Sequence, residues 1–276
     1  MKLDMQKIYI DSRFRTANAK SESDFNVELP RSFNVPDGVV AHIDDIVIPV
    51  SWSTVDERNN HCYISVFSGL TALRDTSFTL NPQNYDGASF AIALAAKLNL
   101  ALVGFVPLPV MICTYDLVSN LLTISMTDAR TGTNNLPIYL QILTDDTLTL
   151  GPQNISSPNT INTIIGNTNQ TLITVAEPYK CYVDLFNTRN LYLTSSALCS
   201  YDTVSNFGMD TIVKKIPCTA GYNHMIFQSS GSTLDGLDVS KRTLRFLGFK
   251  LVDSSFRTIP LQGDHFSFSI VFAQKN

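Results

Sequence analysis

The sequence predicts a mainly β protein: a β-sandwich interrupted by an insertion that contains a βαββ unit. Three observations predict it. Short runs of alternating apolar and polar residues, bounded by turn residues, fill both ends of the chain. The last of them, "HFSFSIVF" at 265–272, sets Phe266, Phe268, Ile270 and Phe272 on one face and Ser267 and Ser269 on the other. Between the two ends, one segment stands out by its helical spacing.

The elements follow in order. "KIYIDSRFR" (7–15) opens with a strand pattern, and "FNVELP" (25–30) alternates Phe25, Val27 and Leu29 before Pro30 stops it. A Pro-Asp-Gly turn leads into "AHIDDIVIPVSW" (41–52), and "CYISVF" (62–67) reads as a fourth strand. Phe78 to Leu80 can extend, and "NPQNYDG" is turn chemistry. Asp86 then offers its carboxylate to the free N–H groups of a helix start. Phe90, Ala91, Leu94, Ala95 and Leu98 form its apolar stripe, with Lys97 suited to the last turn and Asn99 to a left-handed cap. "MICTYDLVSNLLTISM" (111–126) reads as a hairpin turning at Ser-Asn. Residues 144–176 are rich in Thr, Asn and Ser and read mostly as loop, with one helical turn at Ile161, Ile164 and Ile165. Strand patterns return at 190–196, 211–218, 224–230, 244–253 and 265–272. Pairing of the first strand with the last would make the sandwich a jelly roll. The expected division is a sandwich from 1–67 and 177–276, with an insertion at 68–176 made of the βαββ unit (78–126) and the Thr/Asn-rich loop (144–176).

Composition narrows the function. With 276 residues, 44% hydrophobic and 16% charged, the chain can bury a sizeable core and is unlike a disordered sequence. A net charge of −4 gives no general attraction to nucleic acid or anionic lipid, and the densest basic group, Lys241, Arg242 and Arg245, reads as a solvated strand edge. Five dispersed cysteines without a CxxC pair suit reduced thiols in a cytosolic or nuclear compartment. No run approaches the roughly 18 apolar residues of a membrane span, and the N-terminus lacks the apolar stretch of a signal peptide.

Catalytic patterns are missing. His42, His61, His224 and His265 are isolated in sequence, without the HxH spacing of a metal-bearing β-barrel; only His224 and His265 are candidates to meet in space. Asp44-Asp45 and Asp145-Asp146 are adjacent pairs. Adjacent residues on a strand point to opposite faces, so Asp44 and Asp45 are not expected to share a site. No GxSxG, GxxxxGK[ST] or GxGxxG occurs. No catalytic residue, cofactor or metal is expected.

Four blocks taken in order carry a resemblance: "YIDSRFR"; "IDDIVIPVSW"; "LNPQNYDGASFAIALAAKLN" followed by "TYDLVSNLLTISM"; and the tail running from "NLYLTSS" and "TIVKKIPC" to "RTLRFLGFKLVDSSFRTIPLQGDHFSFSIVF". Together they resemble the penton (minor capsid) proteins of polinton-like and adintovirus-type elements and of virophage relatives. The resemblance implies a single jelly roll, five copies of which form the vertex of an icosahedral double-stranded DNA virus particle. It also implies self-association as a homopentamer and contact with a major capsid protein, in the virion, without enzymatic activity. Its blocks are structural, and residues 144–176 lie outside it. At the N-terminal arm, Arg13 and Arg15 are the expected interface residues, pairing with acidic groups of a partner. Two alternatives remain beside it. One is a minor or cement protein of a larger DNA virus. The other is a jelly-roll module that recognises a receptor or glycan through loop tips such as 144–176, whose mark would be an aromatic platform flanked by Asn and Asp.

Overall fold

The structure is a computed structural model and describes residues 5–104, 109–127, 138–156, 158–169, 171–186, 188–199, 211–229 and 236–275. In chain order the first elements are β1 (Gln6–Asp11), β2 (Asp24–Asn34), β3 (Val39–Pro49), β4 (His61–Ser68), β5 (Thr71–Thr79) and helix α1 (Gly87–Ala101). Then come β6 (Val110–Asp116), β7 (Leu121–Thr127), β8 (Ile138–Ile142), α2 (Asp145–Leu150), α3 (Asn162–Ile165), β9 (Thr171–Ile173) and β10 (Tyr179–Tyr182). The last are β11 (Asn190–Thr194), β12 (Ile212–Pro217), β13 (Met225–Ser229), β14 (Leu237–Asp238), β15 (Thr243–Val252) and β16 (Ser267–Gln274). The chain divides into two compact units, Met1–Trp52 with Thr188–Asn276, and Ser53–Asn187.

The first unit is a jelly roll. One sheet has the order β1-β16-β3-β13, with the short β14 also on β3, and the other has the order β12-β11-β15-β2. Leaving β14 aside and counting the eight main strands along the chain, these orders are 1-8-3-6 and 5-4-7-2. The first strand therefore lies beside the last, with Ile8 opposite Ile270 and Ile10 opposite Phe268. Alternation explains how the core forms. Phe25, Val27 and Leu29 of β2, and Leu247, Phe249 and Leu251 of β15, send every second side chain inward against Phe266, Phe268, Ile270 and Phe272. Aromatic rings join the sheets: Phe249 meets Phe268 edge-on at 4.8 Å, and Phe25 meets Phe266 at 5.6 Å.

Ser269, expected on the solvent face of β16, is fully buried. Its strand is central rather than an edge, and its hydroxyl donates to Asp45 Oδ1 at 2.6 Å. The need to satisfy a buried hydroxyl is met by the neighbouring strand.

The second unit holds its own core. Its sheets are β5-β4-β8-β9 and β10-β7-β6. The helix forms as its sequence requires: Asp86 Oδ1 accepts from the Ser89 N–H at 2.7 Å, and Ser89 Oγ accepts from the Asp86 N–H at 3.0 Å. This reciprocal cap satisfies two otherwise orphaned donors. Phe90, Ala91, Leu94 and Leu98 are buried in a cluster with Ile64, Ile124, Leu140 and Ile164. Gly87 is required by close approach, since a Cβ there would sit 2.2 Å from the Tyr115 ring.

Four expectations are corrected here. The run 62–67, assigned to the sandwich, is β4; it pairs with β5 and β8 and buries Cys62, Ile64 and Val66 in the second core. Likewise 177–186 carries β10, which pairs with β7. Asn99 does not end α1, which runs on to Ala101. Its amide instead donates to Ala95 O and Met111 O, and its Oδ1 accepts from the Met111 N–H, tying the helix to β6. Finally, 144–176 is built more than its composition suggests. Thr144 caps α2, α3 forms where the Ile-rich turn was expected, and Ile161, Ile164 and Ile165 are wholly buried. Asp145 sits in the first turn of α2, where an acidic group is favoured, and takes the Asn162 side-chain amide at 2.7 Å. Polar composition hid the segment because its Asn and Thr side chains satisfy buried backbone, as Asn162 does for Leu143 O.

Candidate assembly interface

β1 closes one edge of the first sheet and β2 closes one edge of the second, so each has an unpaired side. Between these strands lies a groove of about 530 Å³ whose lining includes Ile8, Ile10, Phe14, Val27 and Leu29. Tyr9 and Phe14 stand beside it with about three quarters of their surface in solvent. At the far edge of the same sheet, β13 buries Ile226 and exposes Met225 and Phe227, each more than 60% accessible. The sandwich thus presents apolar side chains at two opposite edges. Surface of this kind marks interaction sites more often than isolated apolar residues do.

The groove is held by polar groups. Asp11 opens a 3-10 turn over Ser12–Phe14 by accepting from the Arg13 N–H at 2.9 Å, and the Arg13 guanidinium folds back onto the same carboxylate. That bond holds the Asp11 carboxyl below the usual carboxylate range. Arg15 donates to Ser12 O at 3.2 Å and pairs with Glu22 at 3.1 Å. Both expected interface arginines therefore have partners within the chain, and together they fasten the turn that thrusts Phe14 outward. Arg13 keeps 64% of its side chain exposed.

Asp44 and Asp45 require a correction. Phe268 pairs with Ile46 and Ile270 with Ile43, so two residues of β3 stand opposite the one residue between them on β16. This β-bulge turns both carboxylates to one side, where Lys7 Nζ meets Asp44 at 2.7 Å and Asp45 at 3.3 Å. Burial works against the Asp45 charge, but the Ser269 hydrogen bond and the Lys7 ammonium outweigh it, and its pKa falls below the ordinary value. Lys7 is raised in turn, chiefly by its hydrogen bond to Asp44. The cluster staples the edge strand β1 to β3.

The remaining candidates have separate partners. His265 Nδ1 lies 3.2 Å from Ser12 Oγ, and His224 Nδ1 lies 3.0 Å from Tyr222 O. Among the described residues, no three His, Cys, Asp or Glu side chains are grouped to hold a metal ion, and no helix is long and apolar enough to cross a membrane. Lys241 pairs with Asp37, Arg242 donates to Ala197 O and Cys199 O, and Arg245 pairs with Glu28.

All five cysteines are free thiols. Burial pushes Cys113 and Cys181 up to about 12 and Cys218 up to about 11, and raises Cys62 still further. With the thiolate as the reactive form, a thiol of pKa 12 is about one part in ten thousand ionised at pH 8. Cys113 and Cys218, although partly exposed, should therefore react slowly with a thiol reagent on native protein. The buried Cys62 and Cys181 should label only on unfolding, as peptide mapping after timed alkylation would show.

Sequence reasoning missed Tyr9, Phe14, Met225 and Phe227. A signal was present: Tyr9 falls between Ile8 and Ile10, and Phe227 follows Ile226, so both faces of these edge strands carry apolar residues.

No family profile and no curated protein matches the chain. A solved structure does: mavirus penton protein, at 10% identity and a TM-score of 0.53, over 97% of this chain and 99% of that one. The likeness is one of fold. It runs across nearly the whole of both chains, insertion included.

Proposed function

We propose that this protein is a structural capsid subunit, a penton occupying the five-fold vertices of an icosahedral double-stranded DNA virus or virus-like element, and not an enzyme. The observation that carries the reading is the shared fold with mavirus penton protein over almost the full length of both chains. The apolar edges support it. In a ring of five, each copy offers one surface to the neighbour on its left and a different one to its right, and the contact closes by rotation. The groove beside β1 and the Met225–Phe227 edge form such an unlike pair, one a cavity and one an exposed apolar edge. On this reading the partners are four further copies and the major capsid protein of the particle, and the protein resides in the virion. No specific nucleic acid and no membrane span belong to this reading. Arg13 and Arg15 act at this edge by holding Phe14 in place, with Arg13 open to a partner carboxylate.

The test is sedimentation of edge variants. Phe14→Ser with Phe227→Ser removes two exposed aromatic anchors, of the kind that cost 2 kcal/mol or more at interface centres, so dissociation should strengthen roughly thirtyfold or more. Arg13→Glu with Arg15→Glu should weaken the ring as well, with the monomer's circular dichroism retained. Pentamer populations identical to wild type in both variants would remove these edges from assembly.

A further inference from the structure

We propose that the outer face of the β12-β11-β15-β2 sheet carries a binding site for one neutral pyranose ring of a glycan. The site is a cavity of about 340 Å³ lined by Asp24, Asn26, Ser196, Gly248, Lys250 and Phe256 among others. That volume lies near the lower end for ligand pockets, about 300–1,000 Å³, and suits one ring rather than a long chain.

Each part has a physical reason. Gly248 lets the Asn26 side chain lie close against the floor: a Cβ there would sit 2.6 Å from Asn26 Oδ1 and push the amide away. Phe256 forms an aromatic wall, its ring stacked on Tyr192 at 6.2 Å and 22°. Its φ of +59° is rare for a bulky side chain, and such strain persists only where the surroundings enforce it. Asp253, 4% exposed, supplies the enforcement. Its Oδ1 accepts from the N–H groups of Ser255 at 2.8 Å and Arg257 at 3.0 Å, and its Oδ2 takes Arg257 Nε at 3.0 Å. The loop is closed below by the Val252–Thr258 bridge. The ring is therefore set in position before any ligand arrives, which lowers the entropy cost of binding.

The polar lining selects the ligand class. Lys250 Nζ stands 3.3 Å from Asp24 Oδ2, which places a donor and an acceptor side by side with their charges cancelled. Asn26 adds an amide and Ser196 a hydroxyl. A buried hydroxyl on the same wall, Ser195 Oγ, has no hydrogen-bond partner among the described residues, a feature that calls for explanation in a folded protein. An aromatic wall receives the C–H face of a pyranose, while amide, carboxylate, ammonium and hydroxyl groups receive its hydroxyls. A phosphate or sulfate ligand would need surplus positive charge, and Lys250 is already neutralised. Asn26 and Asp24 flank the aromatic wall on the sandwich sheet itself.

Ligand-observed saturation-transfer NMR tests the proposal with the methyl pyranosides of glucose, galactose and mannose, free N-acetylglucosamine, and N-acetylneuraminic acid as an anionic probe. At least one neutral sugar should bind the wild-type protein at millimolar concentration, with the strongest transfer at its ring C–H protons. Gly248→Val displaces the Asn26 amide and narrows the floor, and Phe256→Asn keeps a residue that tolerates positive φ while removing the ring. Each should weaken binding at least about tenfold with an unchanged far-ultraviolet dichroism spectrum. Absence of neutral-sugar binding, binding of the anionic probe alone, or affinities unchanged in both variants would overturn the proposal.

Discussion

Replacing Leu94 with Asp is expected to unfold the Ser53–Asn187 unit and leave the jelly roll standing. Leu94 has no exposed surface and sits among Phe90, Leu98 and Ile124. Losing its burial costs about 1.5–3 kcal/mol, and an unpaired carboxylate in that place adds several more. The sum matches a large part of the 5–15 kcal/mol that holds a typical domain together. None of the residues that form the sandwich core belongs to this cluster. Limited proteolysis should therefore digest the 53–187 region quickly while the remaining fragments stay paired, and the helical part of the circular dichroism spectrum should fall. Loss of the whole β signal in one step would show that the two cores fold as one.

Phe249→Ala is the complementary experiment. Phe249 is 1% exposed, lies 5.9 Å from Phe25 and 4.8 Å from Phe268, and so links both sheets of the sandwich. Truncating a buried Phe costs about 3–5 kcal/mol, because the cavity that remains is only partly filled by relaxation. Thermal or urea unfolding followed by tyrosine and tryptophan signals should show the loss in the transition that reports Trp52, the protein's one tryptophan, which is buried in the sandwich core. A change below about 1 kcal/mol would mean that the ring is not at the centre of the sheet packing.

The contrast between these cores marks what the sequence made legible. Periodicity located the strands at 25–30, 190–196, 244–253 and 265–272, because each has one face in a core and alternation records that directly. Helix α1 was legible down to its Asp86 cap, since capping is a local interaction. What failed was non-local. Nothing in "CYISVF" says which sheet it joins, because its period-2 pattern serves either core. The bulge that brings Asp44 and Asp45 onto Lys7 depends on the register of β16, more than 200 residues away in sequence. The buried Asn and Thr of 144–176 read as loop because composition reports polarity and not whether it is satisfied. At the candidate interface, Arg13 and Arg15 drew attention by their charge. The structure pairs both within the chain and also exposes Tyr9, Phe14, Met225 and Phe227 at the edges.

The central claim is that this jelly roll closes into rings of five. Sedimentation velocity of the purified wild-type protein across a hundredfold range of concentration, with mass read from the boundary, tests it directly. The account predicts a species near five times the 30.5 kDa chain mass that gains population with concentration and gives way to nothing larger. A contact that persists in solution should bury at least about 1,000 Å² per pair of copies. A monomer throughout the range, or an open-ended ladder of larger species without a boundary at five, would contradict it.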